Sequence, residues 1–231
     1  MFIIVEQERG LIKIINNITR GPVRKIVSER QMIYRPAEGW SYAHHSFITF
    51  FKGRFYAIWS CGTADEDYFG QRVMIAESDD FANWSQPRVL ADPADTSDPN
   101  QVYTACGLYS HNGTLHAYIG HYSYDMSDIE ANPSKSYIEA HHLGTSVSVM
   151  STTDGTEWSE PRDLGIPIIP NHGPQPTHTG RLIISGGFLF PYSDDPSGVG
   201  HYELSGIHGN AFEGRDRIYD DAESIHFVTK Q

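Results

Sequence analysis

Two stretches of this chain, ESDDFANWSQP at 77–87 and STTDGTEWSEP at 151–161, repeat one another. Ser78-x-Asp80 aligns with Thr152-x-Asp154, and Trp84-Ser85-x-Pro87 aligns with Trp158-Ser159-x-Pro161. Asp and Trp stand four positions apart in both, and the second copy follows the first by 74 positions. Self-similarity of this kind marks a chain built from stacked units, each unable to bury its apolar face alone.

A second element precedes each copy. FFKGRFYAIW at 50–59 matches SHNGTLHAYI at 110–119, and THTGRLIISG at 177–186 is a third version. Their turn residues are Lys52-Gly53, Asn112-Gly113 and Thr179-Gly180. Asn-Gly between apolar runs is a strong hairpin signal, and the alternating RFYAIW and TLHAYI read as strands. One unit is therefore strand, tight turn, strand, variable loop, strand (RVMIAES or SVSVMST), box turn, strand. That is a four-stranded antiparallel meander of about 60–75 residues, the size of a propeller blade. With 21 Gly, 13 Pro and 12% aromatic residues the chain is turn-rich and strand-rich, which suits the same class. The expected fold is an all-β propeller with about three and a half blades in this chain. Residues 1–35 read as an N-terminal extension and closing strand, and 36–231 as the blades.

In the box, Asp accepts backbone N–H groups of the turn, and Trp packs between neighbouring sheets and buries a large apolar area. Asp80, Asp154, Trp84 and Trp158 are thus staples of the fold rather than catalysts. The boxes resemble Asp-boxes, the bacterial neuraminidase repeats of sialidase-like propellers. The resemblance covers most of 40–190. Phe81 stands where the pattern has Gly, and Asp154-Gly155 is followed by only two residues before Trp158.

The resemblance implies a function as well as a fold. Sialidases carry an Arg-Ile-Pro motif on the first inner strand, one member of an arginine triad that grips the sugar carboxylate. HHSFI stands at that level here, with His44 at the place of the arginine. YAHHSFITFFKGRFYAIWS, followed by GQRVMIAESDD, is similar to propeller enzymes acting on rhamnose–glucuronate linkages, both α-L-rhamnosidases and lyases. That similarity implies His44 or His45 as the catalytic group. Neighbours on a strand point to opposite faces, so only one of the two is expected to face the site. The starts of the other inner strands supply Tyr103, Gln175, His178 and Glu223 as substrate-binding candidates, beside Thr104 and His226. Imidazole suits general acid–base work, and no pair of carboxylates of the usual glycosidase kind stands at these starts. The expected function is cleavage of a glycosidic bond in a rhamnosyl-uronate glycan by a histidine acid/base, by hydrolysis or elimination. A non-catalytic glycan-binding or truncated propeller and an Asp-box sialidase are the alternatives.

Other features set boundaries. The net charge of −12 repels nucleic acid and anionic membranes, and no apolar run is long enough to span a bilayer. The start, MFIIVEQERGLIKIINN, lacks the order of a signal peptide, although the implied substrate would suit a periplasmic or secreted enzyme. Cys61 and Cys106 are expected as buried free thiols. No Cys/His spacing points to a metal, and no cofactor is expected. The acidic runs TADEDYFG (63–70) and TSDPNQ (96–101) could hold Ca²⁺ but match no EF-hand and are expected to be solvated loops, His141-His142 a loop, and His111 and His116 structural. A closed propeller typically has about four to eight blades. The chain therefore reads as the N-terminal part of a longer enzyme, or as one that self-associates to close the ring.

Overall fold

A computed structural model describes residues 30–96, 98, 100–131, 142–186 and 189–205. The chain divides into two units, Met1–Arg35 and Pro36–Gln231. The extension at 1–29 and the fourth inner strand expected at 221–230, with Glu223 and His226, lie outside the described residues.

Three antiparallel sheets follow one another along the second unit. The first contains β1 (Tyr42–Phe51), β2 (Arg54–Gly62), β3 (Arg72–Ser78) and β4 (Arg88–Ala91) in that spatial order. The second contains β5 (Gln101–His111), β6 (Thr114–Tyr124), β7 (His142–Thr152) and β8 (Arg162–Asp163). The third is smaller: β9 (Gln175–Pro176), β10 (Leu182–Ile183) and β11 (Tyr192–Ser193), with Tyr192 also bridged to Glu203. The fold is therefore all-β, built from blades of a partial propeller. No helix among the described residues is long and apolar enough to cross a membrane.

The hairpin turns form as their residues dictate. Lys52 and Gly53 take φ +47 and +85, and Asn112 and Gly113 take +46 and +77. Two successive positive φ values make a type I′ turn, whose twist matches that of the flanking strands. Register then follows from the turn, with Phe51 opposite Arg54 and His111 opposite Thr114.

Packing between sheets explains why the middle strands lack simple alternation. From Tyr56 to Gly62 every residue of β2 is buried, because a blade is covered on both faces. Ile58, Val73 and Ile75 of the first sheet pack with Ala105, Leu115, Ala117 and Ile119 of the second. Tyr118, Val147 and Val149 of the second pack with Ile184, Leu189 and Tyr202 of the third region. Each fully buried Ile or Val contributes about 1.5–3 kcal/mol.

The two boxes have the expected geometry. Asp80 Oδ1 accepts from the backbone N–H of Ala82 and Asn83 at 2.9 and 2.7 Å. Asp154 Oδ1 accepts from Thr156 and Glu157 at 2.8 and 3.0 Å. Glu77 N donates to Ser85 Oγ, and Ser151 N to Ser159 Oγ, both at 3.0 Å. Trp158 packs against the core between the first two sheets. Trp84 instead stacks edge-on with Phe81 at 5.7 Å, its Nε1 donating to Phe81 O.

The structure adds two findings to the sequence reading. A third box-like turn follows β11: Asp195 N donates to Ser193 Oγ, and Asp195 Oδ1 accepts from Ser197 N. It has no Trp, so the Trp-based comparison passed over it. His142 is no loop residue but opens β7, paired with Tyr124. Cys61 and Cys106 are both buried.

Candidate functional site

His44 and His45 stand near the start of β1, at the end away from the Lys52-Gly53 turn. Strand alternation would send their rings to opposite faces. Here it fails. His45 takes φ +48, and the β1–β2 register shifts between His44 and Phe47. Such a bulge re-aims side chains. The two rings come together, with centroids 4.4 Å apart, and the expectation that only one of them can face the site is corrected.

The loop joining β2 to β3 completes the cluster. Its TADEDYFG run was expected to be solvated, yet it carries Glu66 to both imidazoles. Glu66 Oε1 lies 3.3 Å from His44 Nδ1 and 3.9 Å from His45 Nε2. Asp67 takes φ +56, and its carbonyl accepts from Tyr124 Oη at 2.9 Å.

Gln71 organises these groups from beneath. It is fully buried. Its Nε2 donates to Asp67 Oδ1, Tyr103 O and Thr104 Oγ1, each at 3.1 Å. Its Oε1 accepts from Asp67 N at 3.0 Å and meets His44 Nε2 at 2.8 Å. A backbone carbonyl can only accept and a backbone N–H can only donate. The Gln71 amide therefore has one orientation, and its oxygen faces His44. His44 Nε2 must carry the hydrogen, and in the neutral ring the Nδ1 lone pair is left facing Glu66.

Surroundings tune the cluster. Burial, and next the neighbouring His44, hold the His45 pKa below the ordinary histidine value. Tyr42 packs on His44 at 5.2 Å, and burial, then Glu66, raise its pKa. From the second sheet, His142 stacks on Tyr122 at 3.9 Å, and Tyr122 and Tyr124 share a hydroxyl contact of 3.3 Å.

The remaining candidates are distributed as follows. Tyr103 is half-buried in β5; its backbone N–H donates to Gln71 O at 2.9 Å and its carbonyl accepts from Gln71 Nε2, so it borders the cluster. Gln175 is exposed in β9 and bonds to Gly173 O at 3.4 Å. His178 is exposed in the turn closed by Gly180 N and Thr177 O. Neither of these two hydrogen-bonds to the histidine cluster among the described residues. Glu223 lies outside the described residues.

Glu66, Asp67 and Gln71 were not singled out from the sequence. Gly62, the last residue of β2, pairs with Tyr42 at the start of β1. The next loop must therefore emerge beside His44.

Comparison with known proteins bears on the fold. The family model described as "Beta-prop_BT_1020:-like, N-terminal beta propeller" matches residues 23–129. A family 117 glycoside hydrolase of the marine bacterium Zobellia galactanivorans is similar at TM-score 0.53 and 13% identity, covering 77% of this chain and 60% of that one. A sialidase of Trypanosoma rangeli is similar at TM-score 0.52 and 13% identity, covering 77% of this chain and 34% of its own. These sheets are blades of a β-propeller. The chain spans about a third of the sialidase's length. No curated protein matches the chain.

Proposed function

We propose that this propeller is part of a carbohydrate-active enzyme that cleaves a glycosidic bond in a rhamnosyl-uronate glycan, with a histidine of the His44–His45 pair moving the proton. The convergence of His44, His45 and Glu66 at the start of β1 carries this reading. The similar propellers are, by their names, a glycoside hydrolase and a sialidase, which supports a glycan as ligand.

In hydrolysis the imidazolium would give its proton to the glycosidic oxygen as that bond breaks, and water would supply the new hydroxyl at the sugar carbon, its other proton returning to the imidazole. In elimination a neutral imidazole would take the proton beside the uronate carboxylate. Electrons of that C–H bond would form the new double bond as the leaving oxygen departs. Tyr103, Gln175, His178 and Glu223 are the proposed substrate contacts.

Incubation with rhamnosyl-uronate polysaccharides tests the proposal. Free rhamnose without ultraviolet absorbance of an unsaturated uronate is expected from hydrolysis, and that absorbance from elimination. Either product should fall about 100-fold or more in His44→Ala or His45→Ala, the usual size of an acid–base contribution. Glycan binding with no product would favour the non-catalytic reading instead. Full activity in both variants would refute the site.

A further inference from the structure

We propose that His44, His45 and Glu66 form a binding site for a divalent transition-metal ion such as Zn²⁺, held through His44 Nδ1, His45 Nε2 and a Glu66 carboxylate oxygen. Glycan cleavage is not a premise of this site.

Three observations converge on it. The ligand atoms of these three residues all lie within 4.8 Å of one another, and Glu66 Oε1 faces both imidazoles at 3.3 and 3.9 Å. Ligands at ~2.0–2.1 Å around a tetrahedral ion stand roughly 3.3–3.5 Å apart, close to the 3.3 and 3.9 Å from Glu66 Oε1 to the two imidazoles, and Glu66 is half-exposed and can shift. The second observation is the tautomer. His44 Nε2 donates to Gln71 Oε1 at 2.8 Å, which in the neutral ring leaves Nδ1 as a lone pair. That atom is buried and has no hydrogen-bond partner, although the side chain is only 11% exposed. A lone pair pointed at a carboxylate oxygen is repulsive until a cation sits between them. A ligating histidine characteristically gives its other N–H to a fixed acceptor, as His44 gives Nε2–H to Gln71.

The third observation separates a metal from a proton. A proton on Nδ1 would satisfy His44 and Glu66 alone. His45 Nε2 faces the same oxygen, and it is brought there by a left-handed backbone that a β-strand does not otherwise need. At 3.9 Å His45 Nε2 is beyond hydrogen-bond reach of that oxygen, whereas a divalent ion between them takes all three atoms and keeps a position open for water or a ligand oxygen. Two imidazoles and a carboxylate suit zinc and its neighbours better than calcium, which prefers an all-oxygen shell. His44, His45 and Glu66 would hold such an ion as ligands, and it would supply polarisation of water in place of the imidazole proton transfer proposed above.

The test is calorimetric titration of the chelator-treated full chain with Zn²⁺, with no glycan present. One ion per chain is expected, weakened about tenfold or more in Glu66→Gln and in His45→Ala, and unchanged in His201→Ala, which removes an exposed histidine beside Glu203. Equal Ca²⁺ should not displace it. Absence of stoichiometric binding, binding untouched by Glu66→Gln and His45→Ala, or displacement by Ca²⁺ would overturn the proposal. Co²⁺ added to the unaltered protein is a check that needs no variant. Intense visible bands of a low-coordinate site are expected, and the pale spectrum of the aqueous ion would count against it. A chain that binds Zn²⁺ but cleaves nothing would sink the enzymatic reading and leave the metal site standing.

Discussion

Two non-glycine residues at the candidate site hold left-handed backbone, His45 at φ +48 and Asp67 at φ +56. Each costs of order 1 kcal/mol and persists only where its surroundings over-determine it. For Asp67 the surroundings are Gln71, which accepts from its N–H and donates to its carboxylate. For His45 they are the bulge and the packing on His44. Gln71 thus works at one point as a structural strut and as the group that sets the His44 tautomer. Gln71→Leu strips five contacts at once and strands buried polar groups that cost about 1–3 kcal/mol each. Urea unfolding should therefore lose at least about 2 kcal/mol of stability. A loss below about 0.5 kcal/mol, typical of a surface change, would mean the network is not formed as described.

At the scale of elements, the box turns are where charge and chain geometry meet. Backbone and side-chain donors from Asn83, with Ala82 N, hold the Asp80 pKa down to about 2. Thr156 and Glu157 N–H groups lower Asp154 in the same way. In the unfolded chain these carboxylates titrate near ~3.9. A depressed folded-state pKa means that the stabilisation is present above about pH 4 and is lost as pH falls toward about 2. Thermal melts across that window should show the melting temperature falling. Asp80→Asn should lower stability at pH 7 and flatten the acid decline, since the titrating group is gone. An acid profile identical in the two proteins would show that the box carboxylate is not the cause. The hairpins are legible at this scale because turn, register and alternation are local. His142 was not, because it joins β7 only through a partner strand 18 positions away at Tyr124.

At the scale of the whole molecule, one sheet is shaped to receive the next. Gly155, in the second box, takes φ +83, and a Cβ there would lie 1.8 Å from Tyr56 Oη of β2. Gly107 plays the same part toward the third region: at φ +122, its Cβ would meet Gly173 N at 2.1 Å. Gly155→Ala should cost about 2–4 kcal/mol, from the backbone penalty plus overpacking. A double-mutant cycle with Tyr56→Ala should give a coupling of about 1 kcal/mol or more, because the smaller side chain makes room. Additive losses would mean that the two blades do not meet at this point. The same close packing explains the long buried runs that hid the inward and outward faces of β2 from any period-based reading.

Residue order alone was enough for the propeller class, the blade hairpins, the box staples and the location of His44 and His45 at a strand start. All of these rest on contacts between near neighbours, where turn chemistry and side-chain period act directly. Tertiary structure decided what the histidines can do together. A bulge that cancels strand alternation, a loop that brings Glu66 back over β1, and a buried glutamine that orients one imidazole join residues 22 to 27 positions apart. No local pattern encodes that meeting, because it depends on which loop a sheet edge delivers to the same point in space.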